Sequence, residues 1–343
     1  MQTIVHSFPH RRAGHCGSGA LRDLLEFHRL SYDTEPFREG AVFGLAGGLG
    51  FFYTALPGIQ PPIYLVGRTA DLERDFCAHL GVELDLCQTD DADEGWAALR
   101  GEIDAGRPTM VWADIKHLEY LRVRMHNTMH DIVVCGYDLA DGVAFVADND
   151  RDELQRCSLE SLARARDSSA FPGPNRHATW VMRWPSELPA ARTAVTRAIG
   201  RAVENMAGPA QPVLAGTGAG GLAGVDRFAR EYEGWPGQFG DDLGAVLPGL
   251  AVFIVKAGTA GAMFRSLHAD FLFDAARWLD DEELDELGAT YAALSERWRL
   301  LAASVQGEDD PVAAHDAGRN HVTHIAALEH RGVEEMQAWL ATR

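Results

Sequence analysis

Lysine is almost missing from this 343-residue chain: only Lys116 and Lys256 occur, and arginine supplies the rest of the positive charge. With abundant alanine and glycine, that bias reflects GC-rich coding more than a mechanism. An excess of positive charge is missing too. Thirty-one basic residues stand against 50 acidic ones, a formal net charge of −19. Such a chain repels nucleic acid and anionic membranes, and it suits a cationic small molecule or simply solubility. No apolar run approaches the roughly 20 residues of a membrane helix, and residues 1–14 lack the apolar core of a signal peptide, so a cytoplasmic protein without a membrane partner is expected. The five cysteines, at 16, 77, 87, 135 and 157, are odd in number and lack CxxC pairs. That argues against a disulfide frame or a structural zinc site and predicts reduced thiols.

What remains is an ordinary globular composition, 46% hydrophobic and 24% charged, in a chain long enough for two domains. Helical periodicity is expected over 20–28, 72–80, 94–105 and 152–166. Apolar runs bounded by turn residues predict strands over 61–66, 109–115, 131–136, 143–147 and 179–184, of which 131–136 and 143–147 read as an antiparallel hairpin. Helices followed by an antiparallel sheet make an α+β pattern. Pro185 and Pro189 mark a boundary, beyond which nearly every segment has helical period: 190–206, 226–232, 243–256, 263–279, 282–305 and 333–342. The expected division is therefore an α+β domain over 1–185 and an all-helical one over 186–343. The glycine-rich run from Phe37 to Tyr53 lacks the GxGxxG and Gly-Lys-Ser/Thr patterns, so close backbone packing explains it better than phosphate binding.

One stretch carries chemistry: Gly14-His15-Cys16-Gly17-Ser18-Gly19. It places a thiol at or just before the start of the first helix, where unpaired backbone N–H groups and the helix dipole favour a thiolate. A nucleophile needs a base and a group that orients the base. His130 opens the strand 131–136, and Asp148 closes the strand 143–147. In an antiparallel hairpin the start of one strand lies beside the end of the next, which makes these two residues neighbours.

Together, His15-Cys16, the Phe43-Gly44 to Phe51 run, the His130 strand ending in Gly136-Tyr137-Asp138, and the Asp148 strand resemble the N-terminal domain of the butirosin biosynthesis protein H family. The run from Ala257 to Arg265, followed by Phe271-Leu272, is similar to the helical domain commonly attached to it. The resemblance implies a papain-like cysteine-peptidase fold, with Cys16 as nucleophile, His130 as general base and acid, and Asp148 as orienter. It further implies antibiotic biosynthesis: transfer of an acyl or aminoacyl group from a carrier-protein thioester to an amine, without a cofactor. Asp131, His15, Glu39, Arg68 and Tyr137 are candidate substrate contacts. An acyl carrier protein is a candidate partner, docked on Arg122, Arg124, Arg164 and Arg166, and a homo-oligomer is left open. The glutamine that often completes a papain-like oxyanion hole is replaced by His10, Arg11, Arg12 and His15, which leaves the second donor unnamed.

Three other readings compete. An intramolecular cyclase could use His130 and Asp131 as base and displace a sulfate or phosphate held by Arg11, Arg12 or Arg68. A non-catalytic partner subunit could retain the peptidase-like shell. A metal enzyme would rest on His126 and His130, or on His315, His321 and His324. The first of these spacings lacks the glutamate of HExxH, and the second group reads as exposed, so no metal is expected.

Overall fold

The computed structural model describes residues 2–4, 8–56, 60–208, 217–257, 259–306 and 309–343. Its contacts divide the chain into two compact units. Unit 1 comprises Met1–Glu39 and Leu80–Leu188; unit 2 comprises Gly40–His79 and Pro189–Arg343. Sequence suggested a single cut after residue 185. The C-terminal part of that cut lies close to Leu188, but residues 40–79 group with the C-terminal helices instead.

Unit 1 is built on an antiparallel sheet. Its strands are β1 (Gln2–Ile4), β4 (Glu83–Cys87), β5 (Thr109–Ala113), β6 (His130–Asp138), β7 (Val143–Ala147), β8 (Gln155–Ser158) and β9 (Thr179–Arg183). They lie in the order β4-β9-β5-β6-β7-β8, and β1 pairs with β6 beyond the end of β5. The hairpin of β6 and β7 forms as the apolar runs predict, with Val133 opposite Ala147 and Asp138 opposite Val143. Helices α4 (Ala92–Asp104) and α5 (Leu159–Asp167) cover one face. There Leu99, Ile103, Leu162 and Ala165 close over Val111, Ile132, Val134 and Val146. Helix α1 (Cys16–Phe27) buries Leu21, Leu24 and Leu25 and packs on β6.

Residues 152–166 are not one helix as the periodicity suggested. Gln155–Ser158 is an edge strand paired with β7, and Ser158 then caps α5 by accepting from the Ser161 N–H. The four-residue strand is too short to show a period of its own.

Unit 2 contains α2 (Glu39–Leu45), whose first residue closes unit 1, then β2 (Leu49–Ala55), β3 (Ile63–Arg68) and α3 (Leu72–Leu80), and the helices beyond residue 189. The Phe37–Tyr53 run is thus helix and strand, not a loop. Its glycines serve close packing: a Cβ on Gly44 would stand 1.9 Å from Cγ of Phe271.

The C-terminal helices are α6 (Ala191–Ala207), α7 (Gly221–Tyr232), α8 (Trp235–Phe239), α9 (Leu243–Val255), α10 (Arg265–Leu279), α11 (Glu282–Ser304) and α12 (Pro311–Ala341). A two-residue strand, β10 (Ala219–Gly220), pairs with β2. The C-terminal region is otherwise helical, as the sequence suggested, and α12 is far longer than the 333–342 segment expected. Inside this unit Arg265 and Glu329 form a fully buried two-point ion pair at 2.8 and 3.0 Å, to which the Trp298 indole N–H also donates.

One expectation needs correction. The stretch Trp235–Val255 is long and apolar enough, by length and composition, to cross a membrane, with a mean hydropathy of 1.4 over its most apolar 18 residues. It does not form one continuous α-helix: Gly240 interrupts it at φ 50°, followed by a 3₁₀ turn over Gly240–Asp242. The 13-residue α9 spans only about 20 Å, short of the roughly 30 Å hydrocarbon core.

Glu102 on α4 fastens that helix to the sheet by accepting two-point hydrogen bonds from Arg107 and from Arg183 on β9, at 2.7 to 3.0 Å. These bonds outweigh burial and hold its carboxyl at about 2. A depressed folded value gives stability that is complete above the unfolded value of about 4.3 and lost as pH falls toward 2. Glu102→Gln is therefore expected to cost about 2 kcal/mol at pH 7 after allowing for the half-exposed arginines. The gap in urea midpoint between variant and wild type should narrow from pH 7 to pH 3.

Candidate active site

Cys16 is the first residue of α1, as the sequence predicts, and His15 is the N-cap: its ring accepts the Ser18 N–H. The loop before the helix is tied on two sides. The Ala13 N–H donates to the Asn149 carbonyl at 3.0 Å, and the Asn149 side-chain amide returns a bond to the Ala13 carbonyl at 3.2 Å. This pairing needs Gly19, where a Cβ would lie 2.6 Å from that of Ala13. On the other side, Glu39 accepts from Gly14 N–H at 2.8 Å, His15 N–H at 2.9 Å and the Ser18 hydroxyl at 3.0 Å. Glu39, a candidate substrate contact in the sequence, positions the Cys16 loop through these bonds.

His130 begins β6 and Asp148 follows β7, and the hairpin brings His130 Nε2 to 3.1 Å from Asp148 Oδ2. The same oxygen accepts the Tyr120 hydroxyl at 2.9 Å, and Oδ1 accepts the Asp150 N–H at 3.1 Å. Burial would raise the Asp148 carboxyl, but His130 and these hydrogen bonds hold it below its ordinary value. Burial likewise opposes an imidazolium at His130, yet the Asp148 charge and hydrogen bond, with Cys16, raise it well above 6.5. At Cys16 burial favours the thiol, and the His15 and His130 rings beside the sulfur overcome it, setting the thiol well below its usual range. A thiol held below its usual range beside an imidazole paired to a carboxylate is the electrostatic setting that a cysteine nucleophile needs. Tyr120 had no signal in the sequence, since it lies on an irregular segment without a period.

Asp131 also reaches the sulfur: its Oδ2 lies 3.9 Å from Cys16 Sγ, and the residue is 4% exposed. Cys16, His15, His130, Asp131 and Asp148 thus converge. Tyr137 lies at the far end of β6, fully buried, where its hydroxyl donates to Asp104 and it packs on Trp96. Arg68 belongs to unit 2, and its guanidinium donates to the Thr69 carbonyl at 2.7 Å.

The arginines invoked for anions or docking are partly committed as well. Arg11 pairs with Glu26 and Arg12 donates to the Asp150 carbonyl. Arg166 is buried, bonded to the carbonyls of Gly95 and His177, and Arg164 pairs with Glu160. Arg122 and Arg124 are exposed.

His126 belongs to the one group among the described residues with metal-ligand character, Asp114, His117 and His126, whose ligand atoms lie within 4.8 Å of one another. Asp114 is already occupied by His126, Ser168 and the N–H groups of Lys116 and Asn127, and the Lys116 ammonium is 2.8 Å from His126 Nε2. That occupation, with a cation alongside, makes the group a brace for the irregular segment. His315, expected at the surface, is buried, with its Nε2 2.7 Å from the Tyr232 carbonyl oxygen.

Comparison with known families places these observations. Residues 15–149 match the family described as butirosin biosynthesis protein H, N-terminal, and residues 160–336 match a domain of unknown function, DUF4872. No curated protein matches the chain.

The electrostatics predict selective reactivity. At pH 6 an ordinary thiol is less than about 1% thiolate, so iodoacetamide should alkylate Cys16 about tenfold or more faster than free cysteine. Cys77 and Cys157, pushed by burial to about 12, should stay unmodified. His130→Ala should remove the advantage, read by peptide mass mapping; a wild-type Cys16 that reacts like free cysteine would favour the non-catalytic shell.

Proposed function

The chain carries a butirosin biosynthesis protein H N-terminal domain followed by a DUF4872 domain, the order of a butirosin protein H-like family member, and from that premise we propose that it is an antibiotic-biosynthesis acyltransferase of papain-like fold. The observation that carries the proposal is the buried sequence of contacts from Asp148 through His130 to Cys16.

In this reading the Cys16 thiolate adds to the carbonyl of a carrier-bound thioester. The new carbon–sulfur bond forms, the intermediate collapses, and the carrier thiol leaves with the proton of the His130 imidazolium. The neutral imidazole then takes a proton from the attacking amine, and the Cys16 thiolate is released as the amide forms. Asp148 holds the ring and balances its charge throughout. The Cys16 N–H, in the first turn of α1 where backbone donors lack helical partners, serves as an oxyanion donor in this reading.

One contact favours a second reading. The Asp131 carboxylate at 3.9 Å from Sγ puts an additional base or cation-binding group where a simple cysteine nucleophile needs none. Displacement of a sulfate or phosphate by a substrate amine, deprotonated by His130 and Asp131, would use it. Substitution separates the two. Acyl transfer predicts an acyl adduct on Cys16 in intact-mass spectra and a loss of about 10³-fold or more in Cys16→Ala. The displacement reading predicts no adduct, activity retained in Cys16→Ala, and the main loss in Asp131→Asn.

A further inference from the structure

Two side-chain donors meet on one oxygen of Asp148. His130 Nε2 lies 3.1 Å from Oδ2, and the Tyr120 hydroxyl donates to the same atom at 2.9 Å. With the Asp150 N–H on Oδ1, three donors share one buried carboxylate, and each bond weakens the pull that the charge exerts through the others. Tyr120 is built into this place. Its carbonyl accepts the Arg151 guanidinium at 2.9 Å, and the Arg151 N–H donates to the Asp148 carbonyl at 2.9 Å, so both ends of the tyrosine are tied to the turn after β7. Its ring packs against the apolar core that contains Ile132 and Leu162. Burial and the Asp148 charge hold the hydroxyl well above its usual range, so it stays a donor while the histidine titrates.

We infer that Tyr120 is a positioning residue whose hydroxyl, sharing Asp148 Oδ2 with His130, limits how tightly the carboxylate holds the imidazolium proton and lets His130 turn into a base at lower pH than Asp148 alone would allow. The inference rests on the acyl-transfer reading, in which a neutral His130 must take the proton of the attacking group. His130 spends Nε2 on Asp148, so Nδ1 is the nitrogen left for that exchange. Without the hydroxyl more of the carboxylate charge falls on His130, and the imidazolium persists to higher pH. The other titratable or charged groups around these three residues are His15 and Cys16 at the start of α1, Asp131 on β6, Asp150 and Arg151 in the turn, and Cys157 on β8. Tyr120→Phe leaves all of them in place.

The test is an NMR titration of the His130 ring in the full chain carrying ¹³C-labelled histidine, comparing wild type, Tyr120→Phe and Tyr137→Phe. Tyr120→Phe removes one oxygen and keeps the packed ring. Its His130 midpoint is expected to rise by about half to one pH unit. Tyr137→Phe, which removes a buried hydroxyl bonded to Asp104 at the far end of the same strand, should leave that midpoint in place. A midpoint that is unchanged or lower in Tyr120→Phe, or that moves equally in both variants, overturns the inference. The same rise should appear in turnover. Hydrolysis of acetyl-Cys16, formed from the acetyl thioester of N-acetylcysteamine, needs neutral His130, so the acidic limb of its pH profile should move up in parallel in Tyr120→Phe. A limb that stays in place also overturns the inference. Wild type that never forms acetyl-Cys16 overturns the acyl-transfer reading instead, while the ring titration still reports on Tyr120.

Discussion

The Asp148 carboxylate sits at the end of β7 almost out of reach of solvent, and the surrounding hydrogen bonds keep that buried charge satisfied. A buried anion left without partners costs several kcal/mol, so the register of the β6–β7 hairpin, which decides where His130 meets Asp148, is also an electrostatic requirement. Once the pair is set, the imidazole is biased toward its charged form, and the Cys16 sulfur beside it is biased toward the thiolate. Strand register, burial and nucleophile activation are in this sense one problem with one solution.

The second half of the site solves a positioning problem. Cys16 must approach the start of β6, and the loop that achieves this is held by Asn149, one residue after the Asp148 carboxylate, and by Glu39. Because Asn149 and Asp148 are consecutive, the same strand end fixes the base and the nucleophile loop. Asp131 stands apart from this economy. A carboxylate 3.9 Å from the sulfur opposes a thiolate, so its charge is at odds with the bias that the two histidines impose.

Much of this was legible in the sequence because it rests on local rules. Cys16 before an amphipathic helix, His130 at a strand start and Asp148 at the end of the next strand follow from periodicity and hairpin geometry, and the structure has each at that place. What local rules miss are the roles set by long-range contact. Glu39 reads as a substrate contact and holds the Cys16 loop. Tyr137 shares a strand with His130 but lies at its far end. Arg166 looked like surface charge and is buried among carbonyls. Tyr120 sits on a segment with no period at all. The grouping of residues 40–79 with the C-terminal helices has no local signature either, since the aromatics of that run read the same whichever unit they pack in. The rest of α12 escaped notice because its exposed and buried residues mix charge and small side chains along its first two-thirds.

The central claim is that Asp148 holds His130 as an imidazolium next to Cys16. Its most direct test is an NMR titration of the His130 ring in protein carrying ¹³C-labelled histidine, with Asp148→Asn as comparison. The account predicts that His130 remains protonated well above pH 6.5 in wild type and titrates lower in Asp148→Asn. A ring that titrates near 6.5 in both proteins would contradict it.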